Sequence, residues 1–207
     1  MTHAPRPSGP VGSSDRPAWG VAVARALLGD RSAMSRISRD RIRRLLDEAE
    51  GYLMLDLPRR SLQILGSRPD WSTMQFEANL LKGEALRCLD RYREALKPLE
   101  IAASLRPGDK RVALALGWCY KRTNRLAQAI DSLERALREN PYESLLHYNL
   151  ACYWSLAGNG PKALDALSTA LDLDPELRSL IAEEQDFDRL RGHPEFDRLI
   201  MGPAPLT

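Results

Sequence analysis

From about Met34 onward, apolar positions recur at helical spacing, and almost no stretch alternates in the two-residue rhythm of a strand. Proline and glycine punctuate this pattern at regular intervals, the mark of an internal repeat. Pro107, Pro141 and Pro175 stand 34 residues apart. The same frame holds Ala95, Ala129 and Ala163, then Leu99, Leu133 and Leu167, then Ala102, Ala136 and Ala170. Two small positions seven apart, with a bulky one between them, predict a close-packing stripe on the second helix of each unit. Gly83, Gly117 and Ala151 are expected to let the first helix approach it, followed by Leu86, Tyr120 and Trp154 as the large members. Asp90, Asn124 and Gly158 are the turn residues between the two helices. Each proline ends a second helix because it lacks a backbone N–H and disfavours helix just before it. The chain is therefore expected to be all-α.

The 34-residue period, the Gly/Ala–aromatic–Ala–Leu–Ala–Pro order and the phrase HYNLACYW at 147–154 resemble tetratricopeptide repeats. The resemblance is strong over 74–175, as three consecutive repeats. It implies a right-handed α-α superhelix, a solenoid of antiparallel helix pairs. Residues 34–73 look like a degenerate first repeat, with Ala49 and Tyr52 at the small and aromatic positions. There Ser61 replaces the usual alanine, Pro69 arrives four residues early, and the second helix is expected to be about a turn short. Residues 176–207 resemble a capping helix and tail. Solenoids need a cap because a terminal repeat otherwise leaves its apolar side wet, and Phe187, Leu190, Phe196 and Leu199 are the expected covering residues. Residues 1–33, rich in Pro, Gly and Ser at their start, are expected to be a disordered leader with a short helix over 18–29.

Charge changes this picture modestly. The net charge of +2 neither requires nor excludes nucleic acid, but its distribution is polarised. Residues 1–73 carry 12 basic and 8 acidic side chains, residues 74–142 carry 13 and 9, and residues 143–207 carry 5 and 11. Such asymmetry can steer a partner or a second copy. Cys88, Cys119 and Cys152 lack paired-ligand spacing and fit a reducing compartment, so the cytoplasm is the expected location. No apolar run reaches the roughly 18 residues of a membrane span, and no membrane partner is expected. His3, His147 and His193 make no metal-ligand pattern, and no phosphate loop or nucleophile motif occurs. The expectation is therefore a chain with no enzymatic activity, cofactor or metal.

The resemblance implies that first helices line the concave face, and that a protein or peptide partner binds there. By register the inward positions are Glu77, Leu80, Glu84 and Arg87, then Arg111, Leu114, Trp118, Lys121 and Arg122, then Leu145, Tyr148, Asn149, Cys152 and Ser155. The binding residues expected from this set are Glu84, Arg87, Arg111, Leu114, Trp118, Lys121, Arg122, Tyr148, Asn149 and Cys152. Asn149 stands where many family members hydrogen-bond a peptide backbone. Trp118 and Tyr148 are expected to be exposed anchors, with Lys121 and Arg122 holding a carboxylate. The lysine/asparagine/arginine clamp that some family members use for chaperone tails is missing in either frame. The segment with Arg31, Arg36, Arg39, Arg41, Arg43 and Arg44 could meet an acidic surface, but without interleaved aromatics or a basic excess it argues against nucleic acid. The function expected is an interaction adaptor or scaffold. Head-to-tail self-assembly through the basic front and acidic back is the alternative, an RNA-associated role stands behind both, and the oligomeric state is left open.

Overall fold

The computed structural model describes residues 39–67 and 71–201. The leader at 1–33, its short helix, Arg31, Arg36, Pro69 and the tail from 202 lie outside the described residues. The chain divides into two units between Arg41 and Ile42, and the helical array belongs to the unit that begins at Ile42.

The repeat is built by its turns. Helix α1 (described over 39–54) turns into α2 (Pro58–Gly66), α3 (Gln75–Cys88) into α4 (Tyr92–Leu105), α5 (Lys110–Arg122) into α6 (Leu126–Glu139), and α7 (Ser144–Leu156) into α8 (Gly160–Leu173). At each turn one residue adopts positive φ: Asp56, Asp90, Asn124 and Gly158, again 34 apart. These residue types tolerate the left-handed region best. The residue after each donates its N–H five residues back, Leu57 to Tyr52, Arg91 to Leu86, Arg125 to Tyr120 and Asn159 to Trp154, at 2.8–2.9 Å. That bond satisfies a carbonyl left unpaired by the ending helix. The second helices of the three full repeats also end alike, with Arg106, Asn140 and Asp174 donating to Ala102, Ala136 and Ala170.

Packing follows the same period. Ala95, Ala129, Ala163, Leu99, Leu133, Leu167, Ala102, Ala136 and Ala170 are all fully buried in one core. A Cβ at Gly83 would overlap the Leu99 side chain of its own unit, so that glycine admits the second helix. Gly117 serves a different neighbour than the sequence implied. Its missing Cβ would lie 3.0 Å from Cε2 of Tyr153 in the next unit, so this glycine spaces successive first helices. A smaller cluster of Ile42, Leu46, Ala49, Leu65, Ala78 and Leu81 joins α1 and α2 to α3. Helix α2 has 9 residues against 14 in α4, and beyond it the Trp71 indole donates to the Leu65 carbonyl at 3.1 Å.

After α8 the chain forms short turns of 3-10 helix (Pro175–Leu177, Gln185–Leu190) and two helices, α9 (Arg178–Ile181) and α10 (Pro194–Met201). Phe187 and Phe196 are fully buried, Leu190 is buried and Leu199 is partly buried against the same core. Among the described residues there is no strand.

Candidate functional site

The inward face is defined by contacts between first helices. The Arg111 guanidinium on α5 lies 3.1 Å from Glu84 on α3 and 3.1 Å from Glu50 on α1, tying three first helices together. A cleft of about 240 Å³ opens beside this triad, lined by Arg43, Asp47, Glu50, Glu77 and Arg111 among others. Glu77 in turn holds Arg106 at 2.7 Å. Along this face α3 and α5 run parallel, since the antiparallel α4 connects them. Arg87 lies one turn beyond Glu84 on α3, Leu114 and Trp118 lie one and two turns beyond Arg111 on α5, and the charge of Arg87 reaches Cys119, the residue after Trp118. Arg87 makes no ion pair with a carboxylate among the described residues; its guanidinium donates to Cys88 Sγ at 3.9 Å.

Trp118 is 38% exposed, and Leu114 is half-buried at the margin of the core. The Lys121 ammonium stands 5.2 Å from the Trp118 ring centroid and pairs with the Asp186 carboxylate, with both side chains largely covered. Lys121 is thus already engaged by the chain's own C-terminal segment. Arg122 points elsewhere. Its guanidinium lies 5.3 Å from the Tyr92 ring at the start of α4, because it sits at the turn where α5 ends. Lys121 and Arg122 are therefore not brought together around one carboxylate.

In the third repeat the expectation of an exposed anchor does not hold. Tyr148 is 6% exposed and Cys152 is 2% exposed, because the 185–190 segment lies over them. Phe187 meets Tyr148 edge-on, with ring centroids 5.7 Å apart and planes at 85°. Ser155 donates to the Asp186 carbonyl at 2.6 Å, and Arg189 donates to the Leu156 carbonyl at 3.1 Å. The Tyr148 hydroxyl is buried with no partner among the described residues. Burial, followed by the nearby Cys152, Glu184 and Asp186, holds its phenol well above the ordinary value. Asn149 spends its amide N–H on its own helix, donating to the Leu145 carbonyl at 2.8 Å.

The thiols are poorly suited to chemistry. Burial pushes Cys119 up to about 11 despite the charge of Arg87. Cys152 is driven further in the same direction by burial and then by Glu184 and Asp186. Cys152, Glu184 and Asp186 place one ligand atom each within 4.8 Å of one another, a grouping that sequence spacing did not reveal. That group already contains a cation, the Lys121 ammonium on Asp186, while Glu184 caps the Asp186 N–H at 3.1 Å. Both carboxylates are thus committed to the fold. His147 latches the turn before its helix, its Nε2 lying 2.8 Å from the Pro141 carbonyl. A further cleft of about 340 Å³ between α4, α5 and α6 has Val112, Leu116 and Tyr120 on its wall, with the Tyr120 hydroxyl donating to Glu100 at 2.9 Å. No helix among the described residues is long and apolar enough to cross a membrane.

The segment over the third repeat is the element that sequence reasoning undervalued. Its signal was present: Phe187 lies one 34-residue period beyond Tyr153, continuing a position that is buried in Cys119, Tyr153 and Phe187 alike.

Comparisons with known proteins agree with this architecture. A family model described as tetratricopeptide repeat matches residues 80–144 and 122–178. No curated protein sequence matches the chain. Among solved structures, TTC0263, a thermophilic protein with these repeats in Thermus thermophilus, is 21% identical, with 72% of this chain and 83% of that one covered and a TM-score of 0.60. MamA from Desulfovibrio magneticus RS-1 is 19% identical over 77% and 93%, with a TM-score of 0.58. YrrB, described as having an unusual peptide-binding site, is 20% identical over 62% and 66%, with a TM-score of 0.57. At these identities the likeness is one of fold.

Proposed function

From the match of residues 80–178 to the tetratricopeptide-repeat model, we propose that the chain is a non-enzymatic adaptor that holds a peptide or helix of a partner in the open part of its concave face. Repeats of this family are protein-interaction modules, and the fold by itself is a platform for many partners. The observation that carries the reading is Trp118, a large aromatic left 38% exposed on a first helix. The charge of Arg87, on the neighbouring first helix, is felt at Cys119 next to it, and Arg87 has no carboxylate partner among the described residues. Exposed aromatics and arginines are the residues most often found to dominate binding energy. The other inward cations are engaged, Arg111 by Glu50 and Glu84, and Lys121 by Asp186. Of the residues expected in the site, Tyr148 and Cys152 are buried, and the reading rests on Arg87, Leu114 and Trp118.

Selection of a displayed random-peptide library on the full chain tests this. Peptides enriched on wild type are expected to be lost on Trp118→Ala, at a cost of roughly 2 kcal/mol if this is a hot spot. The same peptides enriched equally by both proteins would move the site elsewhere.

A second reading has its own support. In sequence, exposed Met54, Leu55 and Leu57 adjoin Arg59 and Arg60 early in the repeat array, and exposed Leu173 and Leu180 adjoin Asp172, Glu176 and Glu183 near its end. Opposite charge around two apolar surfaces is what a head-to-tail contact between copies requires.

A further inference from the structure

We propose that the open groove takes a peptide in which an acidic residue immediately precedes an aromatic one; this rests on the groove reading above and narrows it to a class of ligand. The chain carries its own example of such a segment. Over the third repeat, the Asp186 carboxylate sits on Lys121, Phe187 lies edge-on to Tyr148, Ser155 holds the Asp186 carbonyl, and Cys152 lies beneath.

Those contacts can be moved back by one 34-residue period. Lys121 becomes Arg87, Tyr148 becomes Leu114, Cys152 becomes Trp118 and Ser155 becomes Lys121. Each substitution keeps the chemistry needed: a cation for the acid, apolar surface for the ring, and a hydrogen-bond donor. The Lys121 ammonium has three N–H groups, and its pairing with Asp186 does not use them all. The two surfaces differ in cover. Tyr148 and Cys152 are 6% and 2% exposed beneath the segment, whereas Trp118 is 38% exposed and Arg87 has no carboxylate partner among the described residues. A ligand lying on the second repeat as 184–190 lies on the third would put its carboxylate on Arg87. Its ring would fall on Leu114 and Trp118, where aromatic contact and a charge-assisted bond reinforce each other. The same wording, an acid followed by Phe-Asp-Arg-Leu, occurs twice in the chain, at 186–190 and 195–199, and both phenylalanines are fully buried. In the second copy only the aromatic member is held, Phe196 against Phe187, while Glu195 is exposed, so the full acid–aromatic contact is the one at Asp186 and Phe187.

The test is a titration of the full chain into a fluorescently labelled synthetic peptide, Glu-Gln-Asp-Phe-Asp-Arg-Leu, followed by anisotropy. Saturable binding is expected, weakened at least tenfold by Arg87→Glu in the protein or by alanine in place of the peptide's phenylalanine. A peptide with lysine for its first aspartate is expected to recover affinity for the Arg87→Glu protein, a gain that misfolding cannot produce. Two results would overturn the proposal: no saturable binding to folded wild type, or binding indifferent to Arg87→Glu yet abolished by Lys121→Glu, which would mean that the peptide only displaces the resident segment. If the library selection still yields Trp118-dependent peptides of another pattern, the acid–aromatic ligand is wrong while the groove reading stands. If it yields none, both fall.

Discussion

At Ser61 the first repeat departs from its successors, which hold Ala95, Ala129 and Ala163 at the same place. The side chain is fully buried and its hydroxyl has no partner among the described residues. A buried donor without a bond costs about 1–3 kcal/mol, so Ser61→Ala is expected to raise stability by about 1 kcal/mol, seen as a higher Tm. An unchanged or lower Tm would show that the hydroxyl is satisfied. The thiols allow a second prediction at this scale. Cys88 is exposed and Cys119 and Cys152 are buried, so iodoacetamide at pH 8 should modify Cys88 alone until the protein is unfolded. Equal reaction at all three would contradict the burial. Since Cys119 is raised to about 11 from 9.0 and Cys152 moves the same way, the unfolded chain loses these protons first as pH rises. Their contribution is intact below pH 9 and is lost progressively towards pH 11, so a Tm series over that range should fall. The residue scale is also where sequence reasoning divided. Trp118 and Tyr148 have the same aromatic character in their helices, and nothing local says that one is open and the other roofed by Phe187.

At the scale of the element, the turns carry the repeat. Gly158 has positive φ, and an added Cβ would find only Arg189 Nη1, 3.7 Å away, so substitution there meets a conformational cost rather than a clash. Gly158→Ala is expected to lose about 1 kcal/mol in urea denaturation, whereas Asn124→Gly, at the equivalent turn, should lose nothing. A larger loss for Asn124→Gly would mean that its side chain contributes something the backbone account omits. The C-terminal cap is the other decisive element. Phe187→Ala removes a fully buried ring and is expected to cost about 3–5 kcal/mol. Hydrogen exchange should then rise first in α7, beneath the cap, and exchange rising uniformly along the array would argue against a local role. Asp90, Asn124 and Gly158 were legible as turns because the period repeats them. Asp56 escaped notice because the first repeat is degenerate in its other positions, although its turn is built in the same way.

At the scale of the molecule, the basic-to-acidic polarity is the property most open to a physical test. If oppositely charged ends associate, sedimentation equilibrium should show mass increasing with concentration at low salt and returning to monomer at high salt, since exposed charges are screened beyond about 10 Å at 0.1 M. A monomer at every concentration and salt would remove the assembly reading. The sequence alone determined the helical class, the 34-residue period and the stripe of small and bulky residues. It could do so because each of these is written in local propensity and fixed spacing, and appears three times in register. Tertiary structure alone decided which inward residues are available. Arg111 is held by two glutamates, Lys121 by Asp186, Arg122 by Tyr92, and Tyr148 and Cys152 lie beneath a segment more than thirty residues further along the chain. Those pairings depend on the approach of side chains distant in sequence; the period marks Phe187 as a buried position but does not say which side chains it covers.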